Sequence, residues 1–350
     1  MSVDESDLTV RRNRHQAISQ RLAAVDDATL TGLLDGPPTP GFGGAVATAA
    51  VDGVPMFVKF VPLTDLERDH TGSTANLFGL PTFYQYGIGS AGFGAWREIA
   101  VHDMTTRWVL DGEFDGFPLV YHWRVVPYRP APTDPAELER WVTHWEGHDA
   151  VRARLEAIGD ASAAVIVFME HFPQTVDAWL TEHAATGGAL EFVRAGVRDG
   201  VEFMGARGLA HFDAHFRNLL TDGRRIYFAD FGLALHSDFD LDEDERGFLR
   251  RHHDYDRGHT TAHLVRWIVS NGLGLPWNEV HGHLRGHAAE PGAGLRGPAA
   301  EIVAEHTPVA MVMGDFFEEL WADKRSPFPA DDLAKALTVR SRRSAPAPQG

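Results

Sequence analysis

The chain has 350 residues, 44% hydrophobic and 23% charged, with a formal net charge of −17 at pH 7. This composition fits one large or two smaller globular domains and excludes a mostly disordered or fibrous protein. The negative charge argues against nucleic acid as a partner, because phosphate binding needs a basic surface, and it leaves room for a cationic small ligand.

The cellular setting follows from what the sequence lacks. It contains no cysteine, which excludes disulfides, thiolate zinc sites and a cysteine nucleophile. It has no run of about eighteen apolar residues, so we expect no membrane span and no membrane partner. Residues 1–25 carry several charges and no continuous apolar stretch, so we expect no signal peptide. A cytoplasmic location is the resulting prediction, and the oligomeric state is left open.

The first half of the chain is predicted to be rich in strands. Residues 1–25 are interpreted as an N-terminal arm, and residues 26–171 as the strand-rich part. Four runs there are rich in β-branched and aromatic residues and have glycine or proline near their borders: 45–51, 55–61, 118–126 and 163–170. The pair Asp52-Gly53 predicts a hairpin between the first two runs, because it supplies the positive φ of a tight turn.

Helices are predicted within this part and dominate after it. One run covers 95–110, and another begins where Asp134 can cap a helix and Pro135 can occupy its first position. Apolar residues at three- and four-residue spacing predict further helices at 175–184, 189–208, 260–272 and 299–323. Residues 172–324 are therefore the helix-rich part, and 325–350 are interpreted as a flexible basic tail.

The stretch with the clearest chemistry is GLAHFDAHFRNLLTDGRRIYFADFGLAL, residues 208–235. Asn218 follows Asp213 by five residues, and Asp230 follows Asn218 by twelve, with a predicted pair of short strands between them. This geometry brings the three side chains to one end of a hairpin. Carboxylate and amide oxygens are hard ligands, suited to Mg²⁺ bound together with phosphate oxygens. Asp213 is the group left free to orient a hydroxyl and accept its proton.

HFDAHFRN followed by ADFG resembles the catalytic loop and the metal-binding loop of the protein-kinase-like superfamily, which includes protein Ser/Thr kinases and aminoglycoside- and choline-type small-molecule kinases. The resemblance implies a bilobal α+β fold, with a β-rich N-lobe over 26–171, a helical C-lobe over 172–324, and ATP bound between them. It also implies that Asp213 is catalytic and that Asn218 and Asp230 hold Mg²⁺.

The upstream parts of the family pattern are sought next. Only three of the 32 basic residues are lysines, and Lys59 lies in the predicted strand 55–61, where the family places the lysine that pairs the α- and β-phosphates. A compact ammonium is needed there, and arginine substitutes poorly. Glu98, in the helical run 95–110, is the favoured partner of Lys59. Glu67 is nearer in sequence and remains a rival.

Two further segments resemble nucleotide-binding parts of the family. Gly41, Gly43 and Gly44 form a shortened glycine-rich loop, in which backbone N–H groups can reach phosphate. A flexible turn before a strand is the alternative interpretation. Phe168 to Phe172 resembles the connection between the lobes, so Met169 and His171 are predicted to lie at the adenine.

Groups near the catalytic loop are also assigned. His211 is predicted to hydrogen-bond the loop backbone rather than act as a base. Asp254 or Asp256 is expected to brace the loop, as a residue of the following helix does in the family. The acidic residues within 238–245 are interpreted either as a solvated loop or as an anionic rim for a cationic or polyhydroxylated substrate.

Three functions stay open at this stage. The first is an ATP-dependent phosphotransferase acting on a hydroxyl of a small molecule, aminoglycoside-like or another natural product. It is favoured because no Ala-Pro-Glu segment follows the Asp230 motif. The second is a protein Ser/Thr kinase. The third is a non-catalytic ATP-binding scaffold, against which the complete set of Lys59, Asp213, Asn218 and Asp230 argues.

Overall fold

The computed structural model describes residues 5–41, 44–87, 89–132, 134–185 and 187–343. The chain forms two lobes, one built on a β-sheet and one mainly helical, which confirms the predicted bilobal α+β fold. The elements of the N-lobe are α1 (Glu5–Ala23), α2 (Asp27–Gly32), β1 (Thr39–Gly41), β2 (Gly44–Val51), β3 (Val54–Leu63), α3 (Asp65–Asp69), a short 3-10 helix (Thr82–Gln85), α4 (Ala95–Asp111), β4 (Val120–Pro127), α5 (Pro135–His144), α6 (Asp149–Gly159) and β5 (Ala163–Glu170).

The C-lobe follows after a short connection at residues 171–173. Its elements are β6 (Gln174–Thr175), α7 (Val176–His183), α8 (Ala189–Ala206), β7 (Leu209–Ala210), β8 (Leu219–Thr221), β9 (Ile226–Phe228), β10 (Leu235–His236), α9 (Glu243–Arg251), α10 (Tyr255–Leu273), α11 (Val280–Gly286), α12 (Pro298–Ala322) and α13 (Ala330–Arg343). Among the described residues, no helix combines the length and the apolar character needed to cross a membrane.

The N-lobe sheet has the strand order β1-β2-β3-β5-β4, and all of its neighbours are antiparallel. β5 is buried along its whole length, in agreement with its unbroken run of apolar residues. Asp52 and Gly53 both have positive φ, of 50° and 79°, so the predicted hairpin between β2 and β3 is confirmed. Lys59 lies mid-strand, opposite Val46 on one side and Val167 on the other.

Helix α4 packs across one face of this sheet. It ends at Gly112, whose left-handed φ of 78° lets the chain turn away. Trp96 and Ile99 pack with Val165 and other sheet residues in one buried cluster. This packing orients the helix so that Glu98, which is 4% exposed, faces the sheet rather than solvent.

Two insertions of the N-lobe pack on each other. The first covers 64–94, and the second consists of α5 and α6. Asp134 accepts a hydrogen bond from the Ala136 N–H, and Pro135 occupies the first turn of α5, as predicted. Trp145, which follows α5, packs edge-on against Tyr84 of the first insertion, with ring centroids 4.7 Å apart. The insertions therefore form one unit beside the sheet.

The prediction of a flexible tail from residue 325 is wrong for residues 330–343, which form α13. Leu333 is fully buried in the C-lobe core, and Leu337 is 9% exposed. Their four-residue spacing supplies the apolar side of a helix. The charged and proline-containing neighbourhood concealed this short pattern. Residues 344–350 lie outside the described part of the chain.

The N-terminal arm is the helix α1, which contacts both lobes. The guanidinium of Arg11, 5% exposed, makes two hydrogen bonds to the Glu170 carboxylate, of 3.1 and 2.6 Å. The same group lies over the Tyr227 ring of the C-lobe, 5.6 Å from its centroid. Asp7 forms an ion pair with Arg225, which also binds Asp115 of the N-lobe at 2.7 Å.

The buried ring of His252, at the end of α9, contacts Tyr86 of the first insertion and Phe248 of α9. Its Nε2 accepts a hydrogen bond from the Tyr86 hydroxyl at 2.6 Å, and its Nδ1–H donates to the Phe248 carbonyl at 2.7 Å. The ring also stacks on Phe248, with centroids 3.8 Å apart. Burial lowers the pKa of His252 to about 4. The folded protein therefore keeps this imidazole neutral.

Replacing His252 by phenylalanine is expected to flatten the pH dependence of stability on the acid side. The folded pKa lies below the unfolded value, so the neutral ring stabilises the fold above about pH 6.5 and loses this effect as the pH falls toward 4. The variant should lose up to about 1.4 kcal/mol per pH unit less than the wild type in that window. Urea unfolding at pH 7, 6 and 5 measures both slopes, and equal slopes would contradict the assignment.

Candidate active site

The loop that carries Asp213 runs from β7 to β8 and is hydrogen-bonded to a residue of α10. Phe212 and Asp230 both have φ of 62°, unusual for residues other than glycine. Asp256 accepts hydrogen bonds from the backbone N–H of His211 at 2.6 Å and of Phe212 at 2.9 Å. Of the two bracing residues considered, the structure selects Asp256. Asp254 instead pairs with side chains at the surface.

His211 connects the two loops of the site. Its Nε2 lies 3.1 Å from the Ala229 carbonyl and donates to it, while its Nδ1 accepts from the Asp213 N–H at 3.3 Å. The ring is fully buried, and burial lowers its pKa to about 4. A neutral imidazole with both nitrogens engaged is a structural link, as predicted for this residue.

Lys59, Glu98 and Asp230 form an ionic triad in which Glu98 is buried and Asp230 is open to the cleft. The Lys59 ammonium lies 2.7 Å from both carboxylates. Burial opposes its charge, but Asp230 and Glu98 outweigh this effect and raise the pKa of Lys59. Lys59 in turn lowers the pKa of Asp230 to about 2. Lys59 also outweighs the effect of burial on Glu98 and lowers its pKa, so both carboxylates are ionised at neutral pH.

The rival partner Glu67 does not reach Lys59. Its carboxylate accepts hydrogen bonds from the hydroxyl and the N–H of Thr64, from the Ala95 N–H and from Arg154. It thus caps α3 and holds the beginning of α4. Of the two glutamates, the structure pairs Lys59 with Glu98.

Asp213 and Asn218 lie next to each other. The Asn218 amide donates to the Asp213 carboxylate at 2.9 Å and to its carbonyl at 3.0 Å. Burial and the nearby charge of Asp230 raise the pKa of Asp213 to about 8. Ionisation of Asp213 is therefore opposed by repulsion from the Asp230 carboxylate, and a bound cation would relieve this repulsion.

The chemistry of the donor set fits a magnesium ion. Because Asn218 uses its N–H₂ group toward Asp213, its amide oxygen is left to face a ligand. The Asp230 side chain is 48% exposed, so one of its oxygens is accessible while the other binds Lys59. Oxygen donors of this kind are those that Mg²⁺ takes together with phosphate oxygens.

Three adjoining cavities meet at these residues. The hinge cavity, about 360 Å³, has Val46, Phe57, Met169 and His171 in its wall. The central cavity, about 230 Å³, shares Lys59, Asn218 and Asp230 with the hinge cavity. The C-lobe cavity, about 880 Å³, shares Gly87, Asp213 and His215 with the central one. Asp213 therefore lies where the central and C-lobe cavities join.

The predicted nucleotide contacts are only partly brought to these cavities. Met169 and His171 line the hinge cavity. Gly41 and Gly44 line none of the three, and Gly43 lies outside the described residues. A Cβ on Gly44 would meet the Phe60 carbonyl oxygen at 2.2 Å, so strand pairing already requires glycine at this position.

The first insertion contributes a wall that the sequence predictions did not include. Gly87, Ser90, Gly92 and Gly94 line the central cavity. An added Cβ on Gly92, which has a φ of 72°, would lie 2.3 Å from the Gly232 carbonyl oxygen. The segment 89–94, with Gly87 before it, therefore lies directly over Asp213 and Gly232. The four glycines within residues 87–94 were the sequence feature that could have indicated this close backbone approach.

Substituting Gly87 by alanine is expected to lower turnover with little effect on folding. The new methyl group would lie 2.6 Å from Asp213 Oδ1, which forces this carboxylate out of place. Misplacing a reacting group by about 1 Å costs on the order of a hundredfold in rate. Gly205→Ala on α8, where an added Cβ meets nothing within 4 Å, is the control. Equal rates for the two variants would show that Gly87 does not position Asp213.

The acidic run 238–245 is not uniformly a solvated rim. Asp242 caps α9 and forms a capping box with Glu245. Glu245 is 2% exposed and forms a buried ion pair with Arg97 at 2.7 Å. These two carboxylates therefore hold α9 against α4 and are not available to a substrate.

Comparisons with known proteins add little to this description. Neither the protein-family models nor the curated proteins compared with this chain include a match. Among solved structures, WaaP in complex with acyl carrier protein is similar at 13% identity, over 77% of this chain and 90% of that chain, with a TM-score of 0.38. A likeness this distant says nothing about what this chain binds.

Proposed function

We propose that this protein is an ATP-dependent phosphotransferase that moves the γ-phosphate to a hydroxyl of a small molecule. The observation that carries this proposal is the order of the three cavities around one charged cluster. The hinge cavity leads past Lys59 and Asp230 into the central cavity, which opens past Asp213 into the C-lobe cavity. Adenine, phosphates and acceptor would occupy these spaces in turn.

Each residue of the cluster has a role in this reaction. Lys59, fixed by Glu98, would hold the α- and β-phosphates. Asp213 would orient the acceptor hydroxyl toward the γ-phosphorus and take its proton as the new O–P bond forms and the bond to the β-phosphate oxygen breaks. Positioning and charge neutralisation dominate such a step because its transition state is loose.

Asn218 and Asp230 would hold the magnesium ion of this reaction. The ion would supply positive charge that offsets the charge developing on the phosphate oxygens. The raised pKa of Asp213 supports a cation at this position, since its neighbour Asp230 contributes to the shift. Asp256 and His211 keep the loop in the geometry that these roles need.

A small-molecule acceptor is supported by the C-lobe cavity. Its volume of about 880 Å³ lies within the range of small-ligand sites, about 300–1,000 Å³. Trp267, Trp277 and Phe317 line it with aromatic rings, beside His259 and Glu318. Burial lowers the pKa of His259 to about 3, so this ring is neutral. The wall also carries Arg217 and Arg266 beside its carboxylates, so it suits a compact amphipathic molecule with a hydroxyl group.

The test is ATP turnover in Mg²⁺ by the purified protein, alone and with panels of cationic antibiotics, amino alcohols and generic protein substrates. Turnover that depends on a small molecule is the expected result. Phosphate appearing on the protein or on a protein substrate would support a Ser/Thr kinase instead. Tight MgATP binding without turnover across all panels would support a non-catalytic ATP-binding role.

A further inference from the structure

We propose that Arg154, on the inserted helix α6, is a cationic ligand of the terminal phosphate, in addition to Lys59 at the α- and β-phosphates. This inference rests on the proposed function, because it assigns a residue to the nucleotide of that reaction. Arg154 is 3% exposed, yet it lines the central cavity together with Lys59, Asp213 and Asp230. The insertion that carries it thus reaches the same space as the catalytic motifs.

The guanidinium is held in place but not saturated. Its Nη1 donates to Glu67 at 2.9 Å, and its plane lies against the Phe78 ring, 5.1 Å from the centroid. Its Nε is buried and has no hydrogen-bond partner among the described residues. Its Nη2 also makes no hydrogen bond to a described residue, so the guanidinium keeps donors for a ligand in the cavity that it lines.

The two cations of the central cavity differ in how many of their hydrogen-bond donors are already used. The described lining of this cavity carries only two permanent cations, Lys59 and Arg154. The Lys59 ammonium already lies 2.7 Å from each of two carboxylates. Arg154 therefore has more donor capacity left for the terminal phosphate than Lys59, and its planar fork matches phosphate oxygens.

A purely structural role explains the contacts less completely. Without Arg154, the Glu67 carboxylate would still accept hydrogen bonds from Thr64 and from the Ala95 N–H. The segment 89–94 contributes only small side chains to the wall of the cavity, from Ser90, Ala91, Gly92 and Gly94. A phosphate group can therefore approach the guanidinium while Nη1 keeps its ion pair with Glu67.

The test compares two nucleotides that differ in the terminal phosphate. MgADP and the magnesium complex of β,γ-imido-ATP are titrated into wild type, Arg154→Met, Arg154→Lys and Arg152→Met by calorimetry. Arg152 is the matched control, because it lies on the same helix but pairs with Glu139 at the surface. We expect Arg154→Met to weaken the triphosphate analogue on the order of tenfold or more and to leave MgADP within about twofold. Arg152→Met should change neither affinity.

Arg154→Lys keeps a cation beside Glu67 and so protects the fold if the methionine variant unfolds. It should show an intermediate loss of affinity, confined to the triphosphate analogue. Equal weakening of both nucleotides in the Arg154 variants, or no weakening of either, would overturn the inference while leaving the proposed function intact. A wild type that binds neither nucleotide would remove the proposed function, and this inference with it.

Discussion

Replacing Asp213 by alanine is expected to abolish acceptor-dependent ATP turnover while leaving MgATP binding nearly intact. Asp213 lies where the central and C-lobe cavities join, and it makes no contact with Lys59. Removing a positioned acid–base group costs about 10²–10⁴ in rate, and loss of hydroxyl orientation adds to this. Steady-state turnover and nucleotide titration of the same preparation separate the two effects.

The control for this variant is Asp199→Ala. Asp199 lies on α8 and pairs with the neighbouring Arg198, remote from the three cavities. Its turnover should equal that of the wild type. If the Asp213→Ala protein still phosphorylates the acceptor at a similar rate, the catalytic assignment of Asp213 is wrong. If it also loses MgATP binding, Asp213 acts on the nucleotide rather than on the acceptor.

Replacing Asp230 by alanine is expected to remove the dependence of nucleotide affinity on Mg²⁺. This carboxylate is the anion closest to Lys59 that is also open to the cavity, at 48% exposure. Its loss should weaken MgATP binding by about ten- to a hundredfold, the range for losing a charged interaction. Titrations in Mg²⁺ and in EDTA, for the variant and the wild type, measure this effect.

Lys59 serves as an internal check on the Asp230 experiment. Without Asp230, the Lys59 ammonium keeps its contact with Glu98 at 2.7 Å, so its hold on the phosphates should persist. The residual affinity of Asp230→Ala should therefore be the same with and without Mg²⁺. An unchanged response to Mg²⁺ would show that Asp230 does not hold the metal.

The ionic part of the site could be predicted from sequence because its residues are rare or closely spaced. Lys59 is one of three lysines, and Asp213, Asn218 and Asp230 occur within eighteen residues. The prediction of Glu98 required only that its helix pack on the sheet. The choice between Glu98 and Glu67 needed the structure, since it depends on which carboxylate is ion-paired with another cation. Arg154 forms that ion pair with Glu67, and no local sequence pattern predicts this contact.

The insertions were the part that sequence reasoning could not assemble. Gly87 reaches Asp213 only because residues 64–94 fold back over the cleft, and Gly89 packs against Trp141 of α5. These are contacts between segments far apart in the chain, decided by packing rather than by periodicity. The helix α13 was not predicted for a related reason. Leu333 packs in the C-lobe core, and its neighbours in sequence do not indicate this burial.

The helix α1 has a consequence for how the cleft moves. Through Arg11 it binds Glu170 at the end of β5 and lies over Tyr227 of the C-lobe, while Arg225 joins Asp7 to Asp115. Rotation of one lobe against the other would have to break these partly desolvated ion pairs. These contacts therefore resist a change in the angle between the lobes. If the cleft binds a nucleotide as proposed, a joint ordered in this way would lose less entropy on association, and the nucleotide would enter and leave by local motion of the surrounding segments rather than by lobe opening.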